Sequence, residues 1–253
     1  MDRLGPVALV VGALAALPTV AGCDGKVIRL GAGSTSLDGG SCPHAQVPAS
    51  QVLWIGDSWQ LLPTGAEAHT DVRNLARAAG AIGPNDDYTI AATAAAPMIP
   101  PATKGGPTPV PTQYTAQEAT ATKVKVLIVD GGTWDTITNN NSATVNAVSD
   151  NFTQLLSTVA SDGTVTAVIY FLMPELSNVS GVVSIPGVAE LRPLLEQDCA
   201  ASTVPCHFID LQQLWTDPTA YTTSGNPPVP TAAGATVIAD AIWSTMQTYC
   251  IAQ

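Results

Sequence analysis

Gly56-Asp57-Ser58 follows the apolar run Val52-Leu53-Trp54-Ile55, so a serine hydroxyl stands on the turn after a buried strand, where it could attack a carbonyl. That chemistry needs a base to take the serine proton, and donors fixed in advance for the anion that forms. The three histidines are His44, His69 and His207. His69 comes soon after Ser58, on or before the first helix, and reads as a solvated surface residue; His207 opens a strand at the end opposite the site. Asp135, Asp210 and Asp217 are carboxylates that could stand in as bases. Asp57 reads as a brace for the turn, and Asp135 as a residue that caps or orients the loop after the third strand. Trp54, Trp59 and Trp134 read as packing, or alternatively as a platform for a sugar or acyl group beside Ser58. Zinc-type cysteine spacing is missing, so neither a metal nor a cofactor is expected.

The elements that must position these residues follow from hydropathy. Apolar runs at 52–55, 88–92, 124–129, 165–172 and 207–211 predict five strands. Helical spacing predicts helices over 72–79, 145–159, 188–195 and 232–249. Strand and helix alternate, which predicts a three-layer α/β/α sandwich with a five-stranded parallel sheet of flavodoxin-like type. Two long Pro-rich stretches, 97–113 and 216–230, read as irregular and as places to look for function.

Gly56-Asp57-Ser58 after the first strand resembles the SGNH/GDSL hydrolases, and three later blocks extend the resemblance over residues 51–250. The third strand runs into Gly132-Thr133-Trp134-Asp135, similar to the family's Gly-x-Asn-Asp with Trp134 in place of Asn. The stretch Gly225-Asn226-Pro227-Pro228-Val229-Pro230-Thr231-Ala232-Ala233-Gly234 is similar to the family's Asp-x-x-His-Pro-Thr-Ala-Ala-Gly, with Asn226 for Asp and Val229 for His. The second-strand glycine falls at Ala95. The resemblance implies an ester hydrolase fold with Ser58 as nucleophile. It also implies that the base, the Asn donor and the Gly of the family have been replaced by Val229, Trp134 and Ala95. Two functions stay open: a binding protein whose hydrolase site has decayed, and an active acyl or acetyl hydrolase that uses Ser58 with a base from elsewhere.

Composition bounds the partners. Nine Lys and Arg against 20 Asp and Glu give a net charge of −11, and no basic stripe exists to neutralise phosphates, which excludes nucleic acid. Residues 4–20 are apolar and lead into Val20-Ala21-Gly22-Cys23, which resembles the lipobox of bacterial lipoproteins. Residues 1–22 are therefore expected to be a signal peptide, Cys23 the lipidated residue, 23–50 a tether, and 51–253 the SGNH-hydrolase-like domain. The membrane, through that lipid, and a carbohydrate or acyl ligand are the expected partners, at the cell envelope or surface. In an oxidising compartment the other four cysteines should pair. Four cysteines allow three pairings; the short spacing favours Cys199 with Cys206, leaving Cys42 for Cys250.

Overall fold

The computed structural model describes residues 47–57, 59, 67–101, 105–120, 122–176, 187–225 and 228–251. The leader, Cys23, Cys42, His44, Ser58 and Asn226 lie outside the described residues. Five strands, β1 Val52–Ile55, β2 Thr89–Ile90, β3 Val126–Val129, β4 Ala167–Leu172 and β5 Cys206–Asp210, form one sheet in the order β2-β1-β3-β4-β5. Every pairing is parallel. β1, β3 and β4 are buried at every position, as strands covered on both faces must be.

The covering helices are α1 Ala68–Ala78, α2 Val110–Glu118, α3 Thr133–Thr138, α4 Ser142–Asp162, α5 Val188–Ala201, α6 Pro218–Tyr221 and α7 Ala232–Thr248. Sheet register separates the two faces, because paired residues share a face and neighbours along a strand alternate. Trp54, Ile128, Ile169 and His207 form one row. In it Trp54 meets His69 of α1, and His207 stacks on Tyr249 at the end of α7. Ile55, Val129, Tyr170 and Phe208 form the next row, on the opposite face. There Tyr170 packs between Phe152 of α4 and Phe208. The expected three-layer sandwich is the observed one, with α1 and α7 on one side and α4 and α5 on the other.

Local chemistry sets the helix limits. Asn141 caps α4 by accepting the Thr144 N–H at 2.9 Å, and the helix stops at Gly163, whose φ of 64° suits glycine. Between them Val145, Val148, Phe152, Leu155, Leu156 and Val159 form the buried stripe. Three elements differ from expectation. β2 is only two residues long; its pairing continues as single bonds, Ala91 N–H to the Trp54 carbonyl and Thr93 N–H to that of Gly56. α2 begins inside the stretch read as irregular, because its buried Val110, Gln113 and Tyr114 do not make the apolar stripe that periodicity detects. α3 is too short to display a period at all.

Cys199 and Cys206 form the expected disulfide, with Cα atoms 5.2 Å apart, tying the end of α5 to the start of β5. Cys250 is also disulfide-bonded, to a cysteine outside the described residues, where the expected partner Cys42 lies. Among the described residues no helix is long and apolar enough to cross a membrane.

Candidate functional site

At the carboxyl ends of the strands, where the chain order reverses between β1 and β3, lies a small, partly open hollow. Asp57 and Trp59 come to it from the turn after β1, and Thr133, Trp134 and Ile137 from α3. Met173 arrives from the end of β4, and Pro228 and Val229 from the loop before α7. The described lining contains no histidine, lysine or arginine; its one ionisable side chain is Asp57.

Side chains take over the sheet's hydrogen bonds where β1 ends. Register on the β3 side would send the Asp57 N–H to the backbone carbonyl of residue 130. It donates instead to the Asp130 side-chain Oδ1 at 2.8 Å. Asp57 Oδ1 then accepts the Trp59 N–H at 3.0 Å, the bracing expected of it. Trp59 is buried against Trp215, ring centres 5.4 Å apart, and Trp215 donates its indole N–H to Thr222 Oγ1 at 2.8 Å. The turn after β1 is thereby tied to the last loop by aromatic contact.

Three buried carboxyls lie under the hollow: Asp57, Asp130 and Asp135. Asp57 and Asp130 are joined through the Asp57 N–H and the Asp130 carboxyl. Burial pushes the Asp57 carboxyl above its ordinary range. Asp135 accepts the Met98 N–H at 2.7 Å and the Ile99 N–H at 3.1 Å, so it orients the loop after β2. Burial outweighs those two bonds and pushes its pKa up to about 6. The Tyr170 hydroxyl donates to the Gly131 carbonyl at 2.6 Å; burial first, and then the neighbouring carboxyls, push it well up.

The replaced family positions behave differently from one another. Val229 lines the hollow, and its main chain is held by Thr223: the Thr223 N–H donates to the Val229 carbonyl at 2.8 Å, and the Val229 N–H to Thr223 Oγ1 at 3.2 Å. Trp134 is half-buried on the same wall. Ala95 has φ 59°, the left-handed conformation that glycine adopts without strain. Gly132 begins α3 at φ 87°, and a Cβ there would meet Val148.

The remaining candidates lie elsewhere. His69 is not a solvated surface residue: it is buried against Trp54, with Nε2 3.1 Å from Glu67 Oε2 and 3.3 Å from Thr70 Oγ1. The helix turns this side chain toward the sheet face. His207 stacks on Tyr249 at the start of β5, and burial lowers its pKa. Trp54 is core. Asp210 pairs with Arg192 at 3.0 Å, and Asp217 caps α6. Sequence reasoning missed Asp130 and Gln113. Asp130 left a signal, a charge directly after an apolar strand; Gln113 left none.

No family model and no curated protein matches this sequence. Solved structures do. A Parabacteroides merdae protein assigned as a GDSL-like lipase matches with a TM-score of 0.58 and 13% identity, over 79% of this chain and 96% of its own. A family 3 carbohydrate esterase of Clostridium thermocellum matches at 0.57 and 15%, over 79% and 96%. A family two carbohydrate esterase of the same organism, solved with cellohexaose, matches at 0.56 and 13%, over 82% of this chain and 66% of its own. With the five-stranded parallel sheet, these matches establish that the chain has the fold of the SGNH/GDSL esterases.

Proposed function

We propose that this chain is an exported, lipid-anchored binding protein that uses the hollow of an esterase fold to hold a small neutral group, an acyl group or an acetylated sugar, without turning it over. The observation that carries the reading is Val229: it occupies the wall where the resemblance expects the imidazole, and an isopropyl group cannot accept a proton. Trp134 on the same wall has one N–H to offer, against the amide expected there. Neutral ligands are favoured because the described lining has no cation to pair with an anion. Trp134, half-buried on the wall, offers the kind of stacking face that sugars use, and the neighbour solved with cellohexaose supports a carbohydrate class. The lipid on Cys23 would hold the domain at the envelope.

Two assays on residues 24–253 test this together: tryptophan fluorescence during titration with acetylated cellobiose, and 4-nitrophenyl acetate hydrolysis beside a Ser58→Ala control. Saturable binding is expected, weakened about tenfold by Trp134→Ala, as for a loss of roughly 1.4 kcal/mol. Hydrolysis that disappears with Ser58→Ala would replace the binding reading by an active esterase with a base from outside the family position.

A further inference from the structure

The β2 side of β1 carries a second substitution of a side chain for a strand. Trp54 is in register with Ile90, so a continued ladder would send the Gly56 N–H to the Ala91 carbonyl and the Thr93 N–H to the Gly56 carbonyl. The second bond is present at 3.0 Å. The Gly56 N–H, however, donates to Gln113 Oε1 at 2.7 Å. Gln113 Nε2 returns a bond to the Gly56 carbonyl at 3.1 Å and gives another to the Thr108 carbonyl at 2.9 Å. The Ala91 carbonyl, displaced from the ladder, accepts from Thr93 Oγ1 at 3.4 Å. Gln113 is only 2% exposed and belongs to α2, which packs on β1. The Pro-rich stretch singled out in the sequence thus delivers one amide between the ends of two strands.

We infer that Gln113 is a positioning residue whose amide stands as a wedge in place of one rung of the β1–β2 ladder, between the Gly56 N–H and the Ala91 carbonyl, and so sets the paths of the turns at Asp57 and at Ala95 while the neighbouring Thr93–Gly56 rung stays bonded. The wedge fixes both backbone groups of Gly56, one residue before the hollow begins, and the Thr108 bond braces it from the far side. Without the amide, the Gly56 N–H is free to join the Ala91 carbonyl, and the ladder gains the one rung it lacks between the bonds already present on either side. The inference deepens the binding reading and rests on it only where ligand affinity is concerned.

Scalar couplings across hydrogen bonds test the wedge in the isotopically labelled full chain without ligand. The Gly56 nitrogen is expected to couple to the side-chain carbonyl carbon of Gln113. In Gln113→Ala the coupling moves to the Ala91 carbonyl carbon, and the amide shifts of both Asp57 and Ala95 change. Gln113→Glu keeps the acceptor but loses both donated bonds, so it falls between. Affinity for acetylated cellobiose should drop about tenfold in Gln113→Ala at a temperature where the protein is fully folded, the loss one hydrogen bond accounts for. A wild-type coupling to Ala91 overturns the inference, as do unchanged Asp57 and Ala95 shifts in the variants. If Gln113→Ala does not fold, the wild-type coupling and Gln113→Glu decide it. If the wild type does not bind acetylated cellobiose, the binding reading fails, and the couplings still decide the wedge.

Discussion

Asp135 shows how one side chain can make stability run against the usual direction of pH. Its carboxyl is raised from 3.8 to about 6 by burial, so the folded state holds its proton more tightly than the unfolded state. The stabilisation is complete below pH 4 and is lost as pH rises through about 6, amounting to roughly 3 kcal/mol. His207 has the opposite sign: its lowered pKa gives stability that is present above 6.5 and lost as pH falls. The difference between wild type and Asp135→Asn isolates the first effect. Urea unfolding should show the gap between them narrowing by up to about 3 kcal/mol between pH 4 and pH 7. Ala95 gives a second expectation. Its φ of 59° strains an alanine, so Ala95→Gly should be neutral or stabilising by up to about 1 kcal/mol, where Ala-to-Gly is usually costly. Thermal unfolding checks it. At this scale the sequence revealed the positions by their order after each strand, Val229 and Trp134 included. It could mark Asp130 only as a charge after an apolar strand, and Gln113 not at all, because their partners lie 73 and 57 residues away.

Elements were legible where burial leaves a period or a run. β1, β3 and β4 are apolar throughout, and α4, 21 residues long, carries its stripe from Val145 to Val159. α2 was hidden because what it buries includes a glutamine amide, whereas β2 was read from its apolar run at 88–92 and only its length differs, two residues pairing as a strand. The start of α7 has a constraint of its own. Thr231 caps it by accepting the Gly234 N–H at 3.2 Å, and a Cβ on Gly234 would run into the Tyr221 carbonyl oxygen and the Trp215 ring. The carbonyl is backbone and already accepts the Thr231 N–H at 2.9 Å, so it cannot move aside cheaply. Gly234→Ala should therefore destabilise by about 2–3 kcal/mol, the upper range of overpacking, in guanidinium unfolding. Trp59 emission should shift as well, since Trp215 links α7 to the hollow.

Across the whole molecule, the disulfide and the charge balance matter most. The Cys199–Cys206 bridge closes a loop seven residues long, and loop-closure entropy assigns it roughly 2–3 kcal/mol. The double variant Cys199→Ala/Cys206→Ala should lose about that much in denaturant unfolding while keeping the sheet, because β5 is also held by its pairing with β4. Few charges stabilise the fold: among the described residues the Lys and Arg ion pairs join Arg73 to Asp87, Lys123 to Glu118 and Arg192 to Asp210, beside the His69–Glu67 contact. Only 11% of the residues are charged, so added salt should change the midpoint little.

The short antiparallel bridge between Thr222 and Pro230 holds position 229 through main-chain atoms and the Thr223 hydroxyl. Nothing in that arrangement depends on which side chain residue 229 bears. A different side chain at 229 would therefore be carried on the same main-chain strap, and what faces the hollow at that point can change without rebuilding the loop that bears it.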